Sequence, residues 1–445
     1  MDAVIVVFTI SLFIFRERNK AAFFTFCLFI FYFFFGPAHD TLKKWTGNGF
    51  LSGYRFLLPL ALLFFICLFV FIKRRQKPFT ATNRYLNLLF LLLIGADLAG
   101  FLFKKVPVKP VVHQNRFQPC DSCTKPDIYF IIADGYPGRI QLKDNFQYDN
   151  SGFENELARR GFHIVDSSTS NYNFTTFSVA SMLDMQYLSN IHGSNSDRHD
   201  MLICYNSIKR NTLFDFLNSR GYRLYNHSIF DLEKDPSRAK PTFLPRKTRP
   251  IVSQTFFYRI RKDLGHLLVT KLKIRSVTRN LRNLDLRNNN KIFELTKEVA
   301  GSETANPKFV YTHLVMPHYP YYFDSSGRQA PFEILTDEYA TNQKAFIEYL
   351  AYSNKKLLEL VDHIRANAPS PPLIILMGDH GFREFREPVA EKYHFMNLNA
   401  VLLPGSRYNG FYKGMSGVNQ FRVILNTQFG QQLPLLKDSS SFLRE

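Results

Sequence analysis

Cysteine is scarce in this chain: there are 5 in 445 residues, and only Cys120 and Cys123 stand as a Cys-x-x-Cys pair. A zinc site built from two such pairs has no second half here, so the pair reads as a small disulfide, free thiols or half of a zinc site. Acidic residues are also in deficit, with 37 Asp and Glu against 56 Lys and Arg, for a net charge of +19. That surplus suits an anionic membrane surface, an anionic substrate or nucleic acid. No internal repeat is visible, and the 46% hydrophobic content fits neither a disordered nor a fibrous class. The length leaves room for an anchor and one large domain, since a single core rarely exceeds about 250 to 300 residues.

What the chain does have is phenylalanine, 46 in all, with many in apolar runs before residue 104. Four such runs cover residues 3–15, 21–35, 56–72 and 85–103. The last two have the ~17 to 25 residues that a bilayer crossing needs, and the first two are shorter. The first run lacks the basic start of a secretory signal, so it reads as a shallow helix or as part of a longer natural chain. Basic clusters at Arg16, Arg18 and Lys20, and at Lys73, Arg74, Arg75 and Lys77, belong on the cytoplasmic side. An odd number of crossings after the second cluster then places everything beyond Lys104 and Lys105 outside, although Lys43 and Lys44 pull the other way. Asp97, inside the fourth run, reads as an interfacial structural residue. Residues 1–105 are thus expected to form a multi-pass plasma-membrane anchor, with 106–125 as a linker.

Residues 126–135 read Pro-Asp-Ile-Tyr-Phe-Ile-Ile-Ala-Asp-Gly, and 372–381 read Pro-Leu-Ile-Ile-Leu-Met-Gly-Asp-His-Gly. Each is a continuous apolar run ending in acidic or imidazole ligands, as expected of a strand covered on both faces. In open α/β sheets ligands gather at such strand ends. Between them, residues 153–160 and 213–220 look helical, and each is followed by glycine and an aromatic that begins a returning strand. The alternation predicts an α/β domain over 126–430, with a central sheet flanked by helices. The stretch 238–291 is a basic insertion carrying Arg246, Lys247, Arg259, Arg261, Lys262, Lys271, Lys273, Arg275 and Arg279 against Asp263 and Asp285. Interleaved Phe256, Phe257, Leu267, Leu268 and Leu272 allow an amphipathic helix on anionic headgroups; a solvated basic surface is the other reading. Attachment to an outward-facing membrane domain argues against nucleic acid. The tail 431–445 is polar and expected to be peripheral.

Asp134, Thr175, Asp379 and His380 are the candidate reactive residues. Taken singly, each has a bland reading, as helix cap or turn. In order, residues 131–135, 153–162, Thr175 through Ser181-Met182-Leu183, 213–222, Met316-Pro317-His318-Tyr319-Pro320 and 376–381 resemble the sulfatase and alkaline-phosphatase-like superfamily. The likeness is strongest to its membrane-bound branch of phosphoglycerol (lipoteichoic-acid synthase type) and phosphoethanolamine transferases, and covers roughly residues 126 to 404.

The resemblance implies N-terminal transmembrane helices followed by an alkaline-phosphatase-like (sulfatase-like) α/β domain, outside the cytoplasm. It implies metal ligation by Asp134, Asp379 and His380, with Thr175 as nucleophile and fourth ligand; Thr176 is the competing choice. His318 and His394 resemble imidazoles that meet the transferred group or its leaving oxygen, while His313 is given no role. Two carboxylates and an imidazole suit one Zn²⁺ or Mn²⁺, with Mg²⁺ or Ca²⁺ as alternatives. The implied reaction moves a substituted phosphate from a membrane-lipid donor through Thr175 to an envelope glycan or lipid. Hydrolysis by water, and a catalytically silent envelope-binding protein of the same fold, are its rivals. Where the family's sulfatases need an oxidisable Cys or Ser in Cys-x-Pro-x-Arg, this chain reads Thr175-Thr176-Phe177-Ser178-Val179, so sulfate ester hydrolysis by that route is not expected. Gly135 after Asp134 likewise points to a one-metal site.

Overall fold

The computed structural model describes residues 2–47, 49–103, 117–120, 123–188, 198–233, 235–239, 254–260, 283–331, 334–335 and 339–444. Lys104, Lys105, most of the 106–125 linker, and Arg246, Lys247, Arg261, Lys262, Asp263, Leu267, Leu268, Lys271, Leu272, Lys273, Arg275 and Arg279 of the basic insertion lie outside the described residues. The chain forms two compact units, Met1–Val112 with Pro245–Thr278, and His113–Leu244 with Arg279–Glu445.

The first unit holds α1 (Asp2–Phe15), α2 (Arg18–Thr46), α3 (Tyr54–Arg74) and α4 (Thr80–Phe103). Glu17 separates α1 from α2 because its carboxylate accepts from the Asn19 and Lys20 amides at 3.0 and 2.7 Å, an N-cap that starts a new helix. Among the described residues, α2 and α3 are long and apolar enough to cross a membrane. This differs from the expectation in one place. The run 21–35 is only part of a 29-residue helix that continues through Pro37 to Thr46, because backbone hydrogen bonding does not stop where apolarity does. The run 85–103 lies on α4, with Asn87 and Asp97 among its apolar residues. Part of the basic insertion belongs to this unit. Gly36 N–H donates to the Gln254 carbonyl at 2.8 Å, Phe256 packs on Phe31 and Phe35, and Arg259 pairs with Asp40.

The second unit is built on a six-stranded mixed sheet, in the order β2-β6-β5-β1-β4-β3. Its strands are β1 (Ile128–Ala133), β2 (His163–Ile164), β3 (Arg223–His227), β4 (Lys308–Leu314), β5 (Leu373–Gly378) and β6 (Asn399–Leu402). β5, β1, β4 and β3 run parallel, and β6 and β2 add antiparallel pairings. Every residue of β1, β4 and β5 is buried, which is why β1 and β5 read as unbroken apolar runs. The helices are α5 (Arg139–Phe146), α6 (Ser151–Arg159), α7 (Thr175–Asp184), α8 (Arg198–Lys209), α9 (Thr212–Ser219), α10 (Leu284–Ala300), α11 (Gln343–Asn367) and α12 (Gly417–Phe429). α6 and α9 end where expected, at Gly161 and Gly221 with φ of +87° and +79°, and β2 and β3 follow.

Both faces of the sheet are covered. Phe421 of α12 packs edge-on against Phe130 of β1, at 5.0 Å between ring centroids. On the other face Thr296 of α10 shares a hydrogen bond with Thr312 of β4 at 2.9 Å. At the amino edge, Lys308 is fully buried, with its ammonium 3.2 Å from Asp127 and donating to the Val299 and Ser302 carbonyls. Cys120 and Cys123 form a disulfide, resolving the alternatives left by the sequence, and it lies against Gly430 at the end of α12.

The tail is not peripheral, contrary to its polar composition. Asn173 exchanges two hydrogen bonds with the Leu443 backbone, Asn171 donates to the Ser439 carbonyl, and Leu433 and Leu443 are buried. A polar strand can pack tightly when its backbone groups find side-chain amides as partners.

Candidate metal centre

Register decides what meets at the carboxyl edge of the sheet. Ala133 of β1 lies opposite Gly378 of β5 and Leu314 of β4, and Ile132 lies opposite His313. The three central strands therefore end level, which brings Asp134, Asp379 and His313 together across long stretches of chain. All three are buried, and one ligand atom from each lies within 4.8 Å of the others.

The turn after β1 is tight. Asp134 N–H donates to the Leu314 carbonyl at 3.0 Å and Tyr136 N–H to the Ala133 carbonyl at 3.2 Å. Gly135 between them has φ of +65°, a conformation that favours glycine. Its N–H donates to Asp379 Oδ1 at 2.8 Å. Asp379 Oδ2 and Asp134 Oδ1 are left buried with no hydrogen-bond partner.

His380 completes this group through its tautomer. Nδ1 lies 2.7 Å from the Gly381 carbonyl. A carbonyl only accepts, so Nδ1 carries the proton and Nε2 presents a lone pair. That lone pair faces Thr175 Oγ1 at 3.2 Å, Asp379 Oδ2 at 3.5 Å and Asp134 Oδ1 at 3.8 Å. Burial pushes the His380 imidazole below the ordinary histidine value; Asp379 opposes this and Arg383 adds to it. Burial raises the Asp134 carboxyl, but the charge of His318 and the hydrogen bond and charge of His313 outweigh it and hold the group well below the usual carboxylate range. Two buried carboxylate oxygens without partners and an imidazole lone pair repel one another. A divalent cation satisfies all three, and this N/O donor set fits one.

His313 is the residue that sequence reasoning passed over. Burial and the nearby carboxylates keep the Tyr311 phenol protonated, so its hydroxyl donates to His313 Nδ1 at 3.1 Å. His313 Nε2–H then faces Asp134 Oδ2 at 3.4 Å. The signal that could have found it is a histidine inside a fully buried strand, five residues before His318.

Thr175 opens α7, behind an extended Phe174 that makes no side-chain cap. Ser178 of the same helix donates to the Asp379 carbonyl at 2.6 Å, holding the first turn against the Asp-His-Gly loop. Thr176 is buried, whereas Thr175 is half-buried with its hydroxyl toward His380. His318 follows β4 on a loop with cis peptide bonds before Pro317 and Pro320. Its Nδ1–H donates to the Tyr319 carbonyl at 2.7 Å, leaving Nε2 free to accept. His318 and His380 flank Gly135, each with a ring carbon 3.6 Å from the position a Cβ there would take. His394 meets the loop through its carbonyl, which accepts from Gly381 N–H at 2.9 Å. Its ring packs between Phe385 and Phe442, and among the described residues no hydrogen bond joins that ring to Asp134, Thr175, His318, Asp379 or His380. Burial, then Arg383 and His380, keep it below the ordinary histidine value.

Fold and site together define an α/β domain with a buried carboxylate–imidazole centre and a helix-opening threonine at the carboxyl edge of its sheet. No family model and no curated protein matches the sequence. Among solved structures, the chain is similar to the C-terminal periplasmic domain of EcEptC from Escherichia coli in complex with Zn, at 13% identity over 73% of this chain and 90% of that one, with a TM-score of 0.45. It is similar also to the periplasmic domain of phosphoethanolamine transferase EptC from Campylobacter jejuni, at 12% identity over 71% and 92%, TM-score 0.39. A third is the phosphonate monoester hydrolase of Agrobacterium radiobacter, at 12% identity over 69% and 74%, TM-score 0.42.

Proposed function

We propose that the chain is a membrane-anchored phosphotransferase that takes a substituted phosphate, of phosphoglycerol or phosphoethanolamine type, from a lipid donor onto Thr175 and passes it to an envelope acceptor. The observation that carries this reading is the convergence of Asp134 Oδ1, Asp379 Oδ2 and the His380 Nε2 lone pair beside the Thr175 hydroxyl. Asp134, Asp379 and His380 would hold one Zn²⁺ or Mn²⁺, with Thr175 as the further ligand. When bound, the ion lowers the pKa of a coordinated hydroxyl and withdraws charge from a phosphoryl oxygen.

The rest falls to the protein's own groups. The Thr175 hydroxyl releases its proton to solvent, its oxygen bonds to phosphorus, and the bond from phosphorus to the lipid alcohol breaks. That alcohol leaves with a proton from the Nε2–H of an imidazolium, and His318, anchored through Nδ1–H on the Tyr319 carbonyl, presents Nε2 for this once it is protonated. In the second half the now neutral imidazole takes a proton from the acceptor hydroxyl, whose oxygen displaces Thr175, and Thr175 recovers a proton from solvent. The uncapped first turn of α7 favours the anionic group through its free N–H donors. In this reading the basic clusters after α1 and α3 stay cytoplasmic, the anchor is multi-pass, and the α/β domain works outside the membrane.

Incubation of the full-length protein with a lipid donor, followed by mass spectrometry of the peptide around Thr175, should find the donor's substituted phosphate on that residue. A Thr175→Ala variant with full activity would end the proposal. If water accepts as readily as glycan or lipid, the product is the free phosphate ester and the enzyme is a hydrolase.

A further inference from the structure

The Asp-His-Gly loop carries a cation, Arg383, that has no ion pair among the described residues. Arg383 lies three residues beyond His380, on backbone held at several points. Gln141 clamps Phe382 with reciprocal hydrogen bonds of 2.9 Å, and Gly381 N–H is bound to His394. A side chain at Gly381 would collide with the Tyr393 carbonyl and the Gln141 amide, so the loop fits only with glycine there.

This rigid loop lays the guanidinium over the ring of Phe174, with Cζ 4.6 Å from the ring centroid. Phe174 is the residue immediately before Thr175 and the start of α7. Arg383 Nε is buried without a hydrogen-bond partner, and among the described residues Arg383 has no ion pair. A partly desolvated cation without a carboxylate is costly. The cost is raised by its surroundings, since the amino end of α7 is electropositive and uncapped. The Asp134 and Asp379 carboxylates face His380. Guanidinium stacked on an aromatic face, with a free donor edge, is a common receptor for phosphate oxygens.

We propose that Arg383 is an anion-binding residue of the reacting centre, receiving a non-bridging oxygen of the phosphate group that Thr175 attacks. The proposal rests on the phosphotransferase reading for the identity of its anion, and it makes the loop after His380 part of the substrate site.

Inorganic phosphate is the probe. Calorimetric titration of the full-length, Mn²⁺-loaded protein in detergent should show phosphate binding that Arg383→Gln weakens about tenfold to a hundredfold, the worth of one charge-assisted hydrogen bond. Metal content should stay at the wild-type level, and Arg383→Lys should recover part of the affinity. A second measurement needs no variant: phosphate should slow phenylglyoxal labelling of Arg383 in the wild-type protein, read by peptide mass spectrometry. Equal phosphate affinity in wild type and Arg383→Gln, or labelling that phosphate does not slow, overturns the role of Arg383. Either result leaves the Thr175 reading to be judged by its own covalent adduct.

Discussion

At the scale of single residues, hydrogen-bond direction does much of the work. A carbonyl opposite Nδ1 sets the tautomer of His380 and turns its lone pair toward Thr175, whereas a protonated Tyr311 sets the opposite tautomer of His313 and makes it a donor to Asp134. His313 is thereby a group that orients a ligand, and His313→Gln should lower metal affinity about 10- to 100-fold, as loss of such a partner does elsewhere. Equilibrium dialysis with Mn²⁺ or Zn²⁺ measures this directly, and an unchanged affinity would remove His313 from the centre. A second histidine bears on pH. His227, at the end of β3, is buried against Thr296, and burial with the Arg238 charge lowers its pKa from 6.5 to about 4. The unfolded chain then binds the proton more readily than the folded one between these values, so stability is complete above ~6.5 and declines as pH falls toward 4. The full gap is worth roughly 3 kcal/mol. His227→Gln should flatten the acid side of a melting-temperature profile over that range.

At the scale of elements, the amino edge of the sheet shows what a buried charge demands. Lys308 and Asp127 join the starts of β4 and β1, and Asp127 also accepts from the Lys308 amide at 2.8 Å. Removing one partner leaves the other charge buried, so Asp127→Ala should cost about 3–5 kcal/mol. Replacing both, as in Asp127→Leu with Lys308→Met, should recover most of the loss in a chemical denaturation series. The carboxyl edge is constrained by sterics instead. A Cβ at Gly378 would run into the Tyr136 carbonyl, so the Met-Gly-Asp-His-Gly sequence allows the turn after β1 to close over the end of β5. The strands and the caps were legible beforehand, because apolar runs and glycine stops are local signals. His313 was not, because within β4 it looks like one residue of a buried strand, and only its pairing opposite Ile132 brings it to Asp134.

At the scale of the molecule, the second unit closes on itself through its tail. Backbone groups of Ser439, Ser441 and Leu443 bond to the 171–173 segment that leads into Thr175, and Phe442 packs on His394. The tail thus braces the approach to α7. Asn173→Ala removes both bonds to Leu443 and should reduce kcat about tenfold or more, as small displacements of reacting groups do, with metal content unchanged. Turnover at wild-type level in that variant would show that the brace carries no positional load. In the first unit, the Phe256 and Arg259 contacts on α2 show that the basic insertion contributes packing as well as charge.

The sequence by itself determined the division into apolar helices and an α/β domain, the central strands, and the nomination of Asp134, Thr175, Asp379 and His380. Those features follow from periodicity, from glycine and proline stops, and from ligands placed at strand ends, all readable within a few residues. Only the tertiary structure decided that Thr175 rather than Thr176 faces His380, that His313 and Arg383 join the neighbourhood, and that the tail is packed. These depend on strand register, helix rotation and backbone pairing between segments hundreds of residues apart, for which a single sequence carries no local signal.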